Sequence, residues 1–460
     1  MIPKKKDSLK LLSELLYINN SNSEREGGNA YMSNLLEILH KEVVPAEGCT
    51  EPIAVAYAVS LAAELLEEEI TGIQLHLSGN IIKNAMGVGI PGTGQTGLPI
   101  AAALGAVVGR SHKELEILSG LTQAELKMAN DLLDRKLLKV EIKDTPEKLY
   151  IEAQLFTQNH TATAIIAREH THIEYLALDG EKITPRNSKA DCGKPGLSDT
   201  EEYAGSVDQI FEFICTAPFS ELSFLLEGAR MNKAISDEGL RGDYGLQVGK
   251  KMNQQSAVNL FGNDVANRII AATAAASDAR MDGSAMPVMT TAGSGNQGIA
   301  CTLPVIALAE LLGKDEEMLA RALALSNLVT VHIKHYIGRL SPLCGSGIAG
   351  GVGANSGIIY LMGGSLEQIK HGIQNTIASL SGMICDGANS TCALKISTST
   401  NTAIQAATLA MNNIAPTTKD GVIFEEVEDT IRNMERLVQE GLADTDKTIL
   451  NIMLSKGGAN

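Results

Sequence analysis

Tryptophan is absent from the 460 residues, and seven phenylalanines and nine tyrosines bring aromatics to only 3%. A chain so poor in rings offers no platform for stacked bases. Positive charge is scarce too: 38 Lys and Arg face 54 Asp and Glu, a formal net charge of -16. Both deficits argue against nucleic acid or an anionic membrane as partner. Long apolar runs are missing. The most apolar stretch, Leu98 to Val108, is too short to span a bilayer. Ser13 and Glu14 interrupt the apolar residues near the N-terminus, so no signal peptide is read there. Cysteine is sparse and odd in number, seven in all. A chain of this length needs no disulfide framework, and a reducing cytoplasm is the expected location.

Small residues are plentiful. The 44 glycines and abundant alanines suit closely packed helices and backbone that approaches ligands. Residues 1–31 are polar and read as a loose tail, with Met32 an alternative start because helical patterning begins there. Residues 33–43 read as helix and stop before Pro45. Pro52 suits the first turn of a second helix continuing over Ala54 to Leu66. Gly72 to Leu77 alternates like a strand. Pro91 to Gly97 is a glycine loop before the apolar helix Leu98 to Val108, and a charged helix covers about Gln123 to Leu133.

Period-two segments then begin at Leu138, Leu149, Ala162 and His172, which predicts a small antiparallel meander with one wet face. Residues 185–200 read as a linker. From Asp208 onward the pattern is helical, and Ser365-Leu-Glu-Gln368 matches a capping box for a helix running to about Leu380. The fold class is α+β. It combines an N-terminal α+β region over 32–190, bearing the β-meander, with a mainly helical C-terminal catalytic domain over 200–460.

Three cysteines sit among turn formers: Cys344 in Ser341-Pro-Leu-Cys-Gly345, and Cys385 and Cys392 bracketing Asp386 to Thr391. Three thiolates can hold three irons of a cubane and leave the fourth iron open as a Lewis acid. Buried small hydrophobes are the bland alternative. Structural zinc favours four ligands and closer spacing. Cys49, in Glu47-Gly-Cys-Thr-Glu51, falls at a helix N-terminus, where the dipole favours a thiolate, or is a filler beside a capping Thr50.

Ser78, Asn80, Lys83 and Asn84 gather at a strand end and suit a carboxylate and an amine, though such clusters are also turn chemistry. Gly92 to Gly97 and Gly293 to Gly298 match a dinucleotide fingerprint formally, but no βαβ unit surrounds either. Both read as anion cradles at helix N-termini, with Thr93, Ser294 and Asn296 as candidate binding residues. His332 and His335 share a helix face as a possible metal pair or as core or surface residues, and His335 is a candidate proton carrier. His170 and His172 are expected on a solvent face.

Glu42-Val-Val-Pro-Ala-Glu-Gly-Cys49-Thr-Glu-Pro, Ser78-Gly-Asn-Ile-Ile-Lys-Asn84, Ile90-Pro-Gly-Thr-Gly94, Gly293-Ser-Gly-Asn-Gln-Gly298, Ser341-Pro-Leu-Cys344-Gly and Gly382-Met-Ile-Cys385-Asp-Gly-Ala resemble the iron–sulfur L-cysteine desulfidase family. That family is related to the catalytic α-chain of iron–sulfur L-serine dehydratases. The resemblance runs from about Met32 to the C-terminus. It implies an oxygen-sensitive [4Fe-4S] cluster on Cys344, Cys385 and Cys392, Cys49 as an active-site thiol, and no pyridoxal phosphate. Some dehydratase relatives carry a regulatory domain and a terminal Cys; this chain ends Lys456-Gly-Gly-Ala-Asn460.

The expected activity is β-elimination from L-cysteine to pyruvate, ammonia and sulfide. Cys49 would be the base, with His335 or Lys83 behind it, and Ser78, Asn80 and Asn84 would hold the amino acid. Serine dehydration, a non-catalytic iron–sulfur sensor and a dinucleotide-dependent oxidoreductase are the alternatives. A small amino acid is the expected partner, with a homodimer possible and neither nucleic acid nor membrane.

Overall fold

A computed structural model describes residues 34–183, 205–254 and 262–456. The expected tail over 1–31 and linker over 185–200 lie outside these. In chain order the elements are α1 (residues 34–42), β1 (Pro45–Ala46), α2 (Thr50–Ala63), β2 (Gly72–Leu77), α3 (Gly79–Ala85), β3 (Gly89–Ile90), β4 (Gln95–Thr96), α4 (Leu98–Val108), α5 (Gln123–Asp134) and β5 (Leu138–Ile142). Then come β6 (Tyr150–Phe156), β7 (Thr161–Ala167), β8 (Ile173–Leu178) and β9 (Glu181–Lys182). The second half holds α6 (Val207–Thr216), α7 (Phe219–Leu222), α8 (Leu225–Arg241), α9 (Val248–Asn253), α10 (Val265–Met281), β10 (Val288–Met289), α11 (Gly295–Leu312), α12 (Glu316–Ile337), α13 (Gly345–Leu361), α14 (Leu366–Leu380), α15 (Cys392–Met411), α16 (Val427–Arg436) and α17 (Thr445–Ser455). The fold is α+β with a helix-rich C-terminal half.

The six-stranded sheet has the order β5-β2-β6-β7-β8-β9. One correction concerns the meander. β5 does not pair with β6, because β2 lies between them, parallel to β5 and antiparallel to β6. Alternation specifies which face each strand buries but not its neighbour. The β2 residues Ile73, Leu75 and Leu77 are almost wholly buried with Ile151, Ala153 and Leu155 of β6, and this face packs on α2. Gln74, His76 and Gln154 take the wetter face.

A second core fills the helical half around α11, α12 and α13, whose glycines allow close contact. A Cβ on Gly353 would strike Thr330 and Ser326 of α12, and one on Gly350 would meet Ala300 of α11. The chain ends cross the expected boundary at 190–200. Leu35, Leu39 and Val43 of the first helix and its exit pack in the helical core, while Leu450 of α17 packs in the sheet-side core. β1 pairs antiparallel with β10, tying the halves. Among the described residues only α11 has the length and apolarity of a membrane span, and 78% of that window is buried inside the protein.

Candidate active site

The cysteine trio is assembled by backbone. Cys344 N–H donates to Met383 O at 2.8 Å, and Cys385 N–H donates to Pro342 O at 2.8 Å, around a bridge between Leu343 and Ile384. Cys344 is also the N-cap of α13, and its sulfur accepts from Gly347 N–H at 3.3 Å. A Cβ on Gly347 would run into Met383, so glycine there lets the helix start close against the Cys385 segment. Cys392 opens α15 after a turn closed by its own N–H on Asn389 O. The loop between Cys385 and Cys392 crosses over α3, with Gly387 in the left-handed region at φ 93° against the Lys83 carbonyl.

All three cysteines line one cavity of about 760 Å³. Helix starts form its helical wall: Cys49 to Glu51 at α2, Ser294 to Gln297 at α11, and Cys344 to Ser346 at α13. The opposite wall comes from the sheet, from residues 146–149 before β6 and from the β7–β8 turn carrying Arg168, Glu169, His170 and His172. Among the described residues, no three His, Cys, Asp or Glu side chains converge tightly enough for a single metal ion.

Charge is concentrated at the floor. Cys49 donates to Glu51 Oε2 at 3.2 Å, Thr50 Oγ1 donates to the same oxygen at 3.1 Å, and Asn84 Nδ2 donates to Oε1 at 3.2 Å. Burial and then the Glu51 charge push the Cys49 thiol well above its usual range, against a lowering by Arg280. The dipole benefit expected for a Cys49 thiolate is therefore outweighed, and the thiol is protonated at rest. Burial opposes ionisation of Glu51, but His170, the Cys49 hydrogen bond and Thr50 together hold the carboxyl below its ordinary value. Burial keeps His170 below its own ordinary value, against the raising effect of the Glu51 charge. Lys334 is pulled down to about 8 by burial, against a raising effect of Cys385 and Cys344. Burial, with the mutual charge of Cys385 and Cys392, raises Cys344.

Of the residues singled out in the sequence, the cavity wall gathers Cys49, Asn84, Ser294, Asn296, Cys344, Cys385 and Cys392. The candidate site residues Ser78, Asn80, Lys83, Thr93 and His335 are not on it. Ser78 Oγ donates to Lys148 O at 2.7 Å and fastens β6. Asn80 Nδ2 donates to Asp446 Oδ2 at 2.8 Å. Lys83, 1% exposed, is ion-paired with Asp446 at 2.6 Å and donates to Cys385 O at 3.3 Å. It tethers the cysteine loop to α17 and is not a cavity base. Thr93 Oγ1 is turned onto Ile90 O at 2.7 Å within the β3–β4 turn, so that glycine loop is a hairpin and not an anion cradle. His335 is absent from the wall; its neighbour Lys334, about a quarter turn round α12, lines the cavity instead. His332 is buried against Glu428 at 2.8 Å.

Sequence reading missed Glu51, Arg280, Lys334 and His170 as site residues. Glu51 stood inside a quoted motif. The two histidines assigned to a wet strand face lie on or beside the β7–β8 turn, and that turn folds over the cavity. Nothing in a 3.6-residue pattern says that Lys334 faces inward.

The sequence pattern of the serine dehydratase alpha chain matches residues 112–451. The chain belongs to that family. Within this serine dehydratase alpha-chain family the matched region holds the cysteine trio, Arg280 and Lys334, whereas Cys49, Glu51 and Asn84 precede it. A UPF0597 protein of Clostridium perfringens (strain SM101 / Type A) is 55% identical over 423 residues, covering 92% of this chain and 98% of its own. UPF0597 proteins of Bacteroides fragilis (strain YCH46) and Oleidesulfovibrio alaskensis are 44% and 42% identical over 424 residues, each covering 92% of this chain and 98% of their own.

Proposed function

We propose that this member of the serine dehydratase alpha-chain family is an iron–sulfur lyase that eliminates the β-substituent of L-cysteine, releasing pyruvate, ammonia and sulfide. The coarse class, a lyase-type enzyme related to serine dehydratase, rests on the family match over residues 112–451. The observation that carries the finer reading is that Cys344, Cys385 and Cys392 line the same cavity as Cys49.

The donor set fits a [4Fe-4S] cluster. Three thiols from two backbone-zipped segments face one space, a backbone N–H already points at the Cys344 sulfur, and the buried Lys334 ammonium offsets negative charge. A four-iron cube spreads its thiolates wider than the ligands of one ion, so the lack of a single-ion site is compatible with it. When bound, such a cluster supplies a Lewis-acidic iron that eases departure of the β-substituent.

The protein's own residues supply proton movement and orientation. Glu51, held ionised, takes the Cys49 proton across their 3.2 Å contact as Cys49 sulfur takes the substrate α-proton. Ser294 and Asn296, at the start of α11, bring helix N-terminal donors to the developing enolate-like charge. Aminoacrylate then tautomerises and hydrolyses to pyruvate and ammonia without further help. Anaerobically reconstituted protein should release sulfide and pyruvate from L-cysteine in equal amounts. Pyruvate from L-serine without sulfide from L-cysteine moves the assignment to the dehydratase, the reading that the family match itself favours.

A further inference from the structure

Four buried polar atoms without a hydrogen-bond partner among the described residues belong to side chains on the cavity wall: Arg280 Nε, Asn84 Oδ1, Asn296 Oδ1 and His170 Nε2. Buried polar groups are nearly always satisfied, and orphans on several side chains that line one cavity call for a bound ion, water or ligand to complete them. Arg280 is the most informative. It is 3% exposed and forms no ion pair with a carboxylate among the described residues. A guanidinium taken out of water without a counter-charge is costly to keep.

Its placement is constrained on two sides. Arg280 Nη2 donates to Gly48 O at 2.7 Å, the carbonyl just before Cys49. Its Nε lies against Gly295 at the first turn of α11, so closely that a Cβ there would collide with it. An anion reaching this edge would lie beside Cys49 and beside a helix N-terminus, which also favours negative charge. The amide orientations follow from chemistry. Asn84 turns its NH₂ toward Glu51 Oε1 at 3.2 Å, which leaves its oxygen free to accept. Asn296 turns its NH₂ to the Met281 sulfur at 3.4 Å, with the same consequence.

We infer that Arg280 anchors the α-carboxylate of a free α-amino acid, while the amide oxygens of Asn84 and Asn296 accept from its α-ammonium. One cationic fork and two acceptors are the complement of a zwitterion. This specifies the substrate class as an amino acid with both termini unblocked, and it rests on the site proposed above.

The test is anaerobic titration calorimetry on the full, reconstituted protein with L-alanine, which has no β-leaving group, and L-alaninamide, which lacks the carboxylate. L-alanine should bind wild type about a hundredfold more tightly than L-alaninamide. Arg280→Gln should lose about the same factor for L-alanine and none for the amide, with unchanged cluster absorbance. Equal affinity of wild type for the two ligands overturns the inference without any variant. So does Arg280→Gln that keeps L-alanine affinity, whether or not L-cysteine is turned over. If binding depends on Arg280 but neither L-cysteine nor L-serine is converted, the anchor stands and the lyase assignment falls.

Discussion

Replacing Cys49 with Ala removes a thiol whose one side-chain hydrogen-bond partner among the described residues is Glu51, leaving the cysteine trio in place. Cluster absorbance should be unchanged, and the elimination rate should fall by roughly 10²–10⁴-fold if Cys49 carries the α-proton. A near-normal rate with an intact spectrum removes it from the chemistry. Asp278 makes a different prediction, one about stability. Burial raises its carboxyl from 3.8 to about 6, even though Oδ2 accepts from Gly249 N–H at 2.9 Å. The folded protein therefore holds this proton more tightly than the unfolded chain. Its contribution to stability is full below about pH 4, declines as pH rises toward 6, and levels above that. Asp278→Asn keeps the acceptor and removes the charge. It should raise unfolding free energy at pH 7 by on the order of 1–3 kcal/mol and flatten this part of the pH profile, measured by urea denaturation. Residue types at the site were readable in advance for Cys49, Asn84 and the trio, because they stand among turn signals. Lys83 was not: a polar cluster at a strand end looks the same whether it faces substrate or a distant Asp446.

At the scale of elements, close approach of backbones holds the helices together. A Cβ on Gly239 of α8 would enter the space of the Ala275 carbonyl on α10, and one on Gly105 of α4 that of Ala56 on α2. Gly239→Ala should cost about 1–3 kcal/mol despite the better helix propensity of alanine, because neither backbone can yield. Thermal melting checks this, and no loss would show that the helices can part. Ser365 offers the contrast of a fully local device. Its hydroxyl accepts from Gln368 N–H at 3.3 Å and Gln368 Oε1 accepts from Ser365 N–H at 3.0 Å, the capping box read from four letters of sequence. The β2–β5 pairing was not readable in this way. Parallel neighbours joined through α3, α4 and α5 leave no turn signal between them.

For the whole molecule, the cavity lies where two cores meet. The sheet side sends the β7–β8 turn over it, the helical side sends three helix starts into it, and Lys83–Asp446 fastens α3 to α17 behind the cysteine loop. A cofactor bound at that seam stabilises only the assembled state. Anaerobic reconstitution should therefore raise the melting temperature of wild type in a single transition. Cys344→Ala should show no such rise and no cluster absorbance. Two separate transitions, with only one shifted, would mean that the halves unfold independently and that the seam is not where the cofactor acts.

Composition and local pattern by themselves determined much: an acidic, ring-poor composition, an α+β class, individual helix starts, and a cysteine trio among glycines. These are local or additive properties, carried by residues within a few positions of one another. Only the tertiary structure decided which strands are neighbours, that α1 joins the helical core and α17 the sheet side, and that His170, Arg280, Glu51 and Lys334 share a cavity with Cys49. Those outcomes depend on which buried faces meet, and many distant pairings satisfy the same alternation of apolar and polar residues.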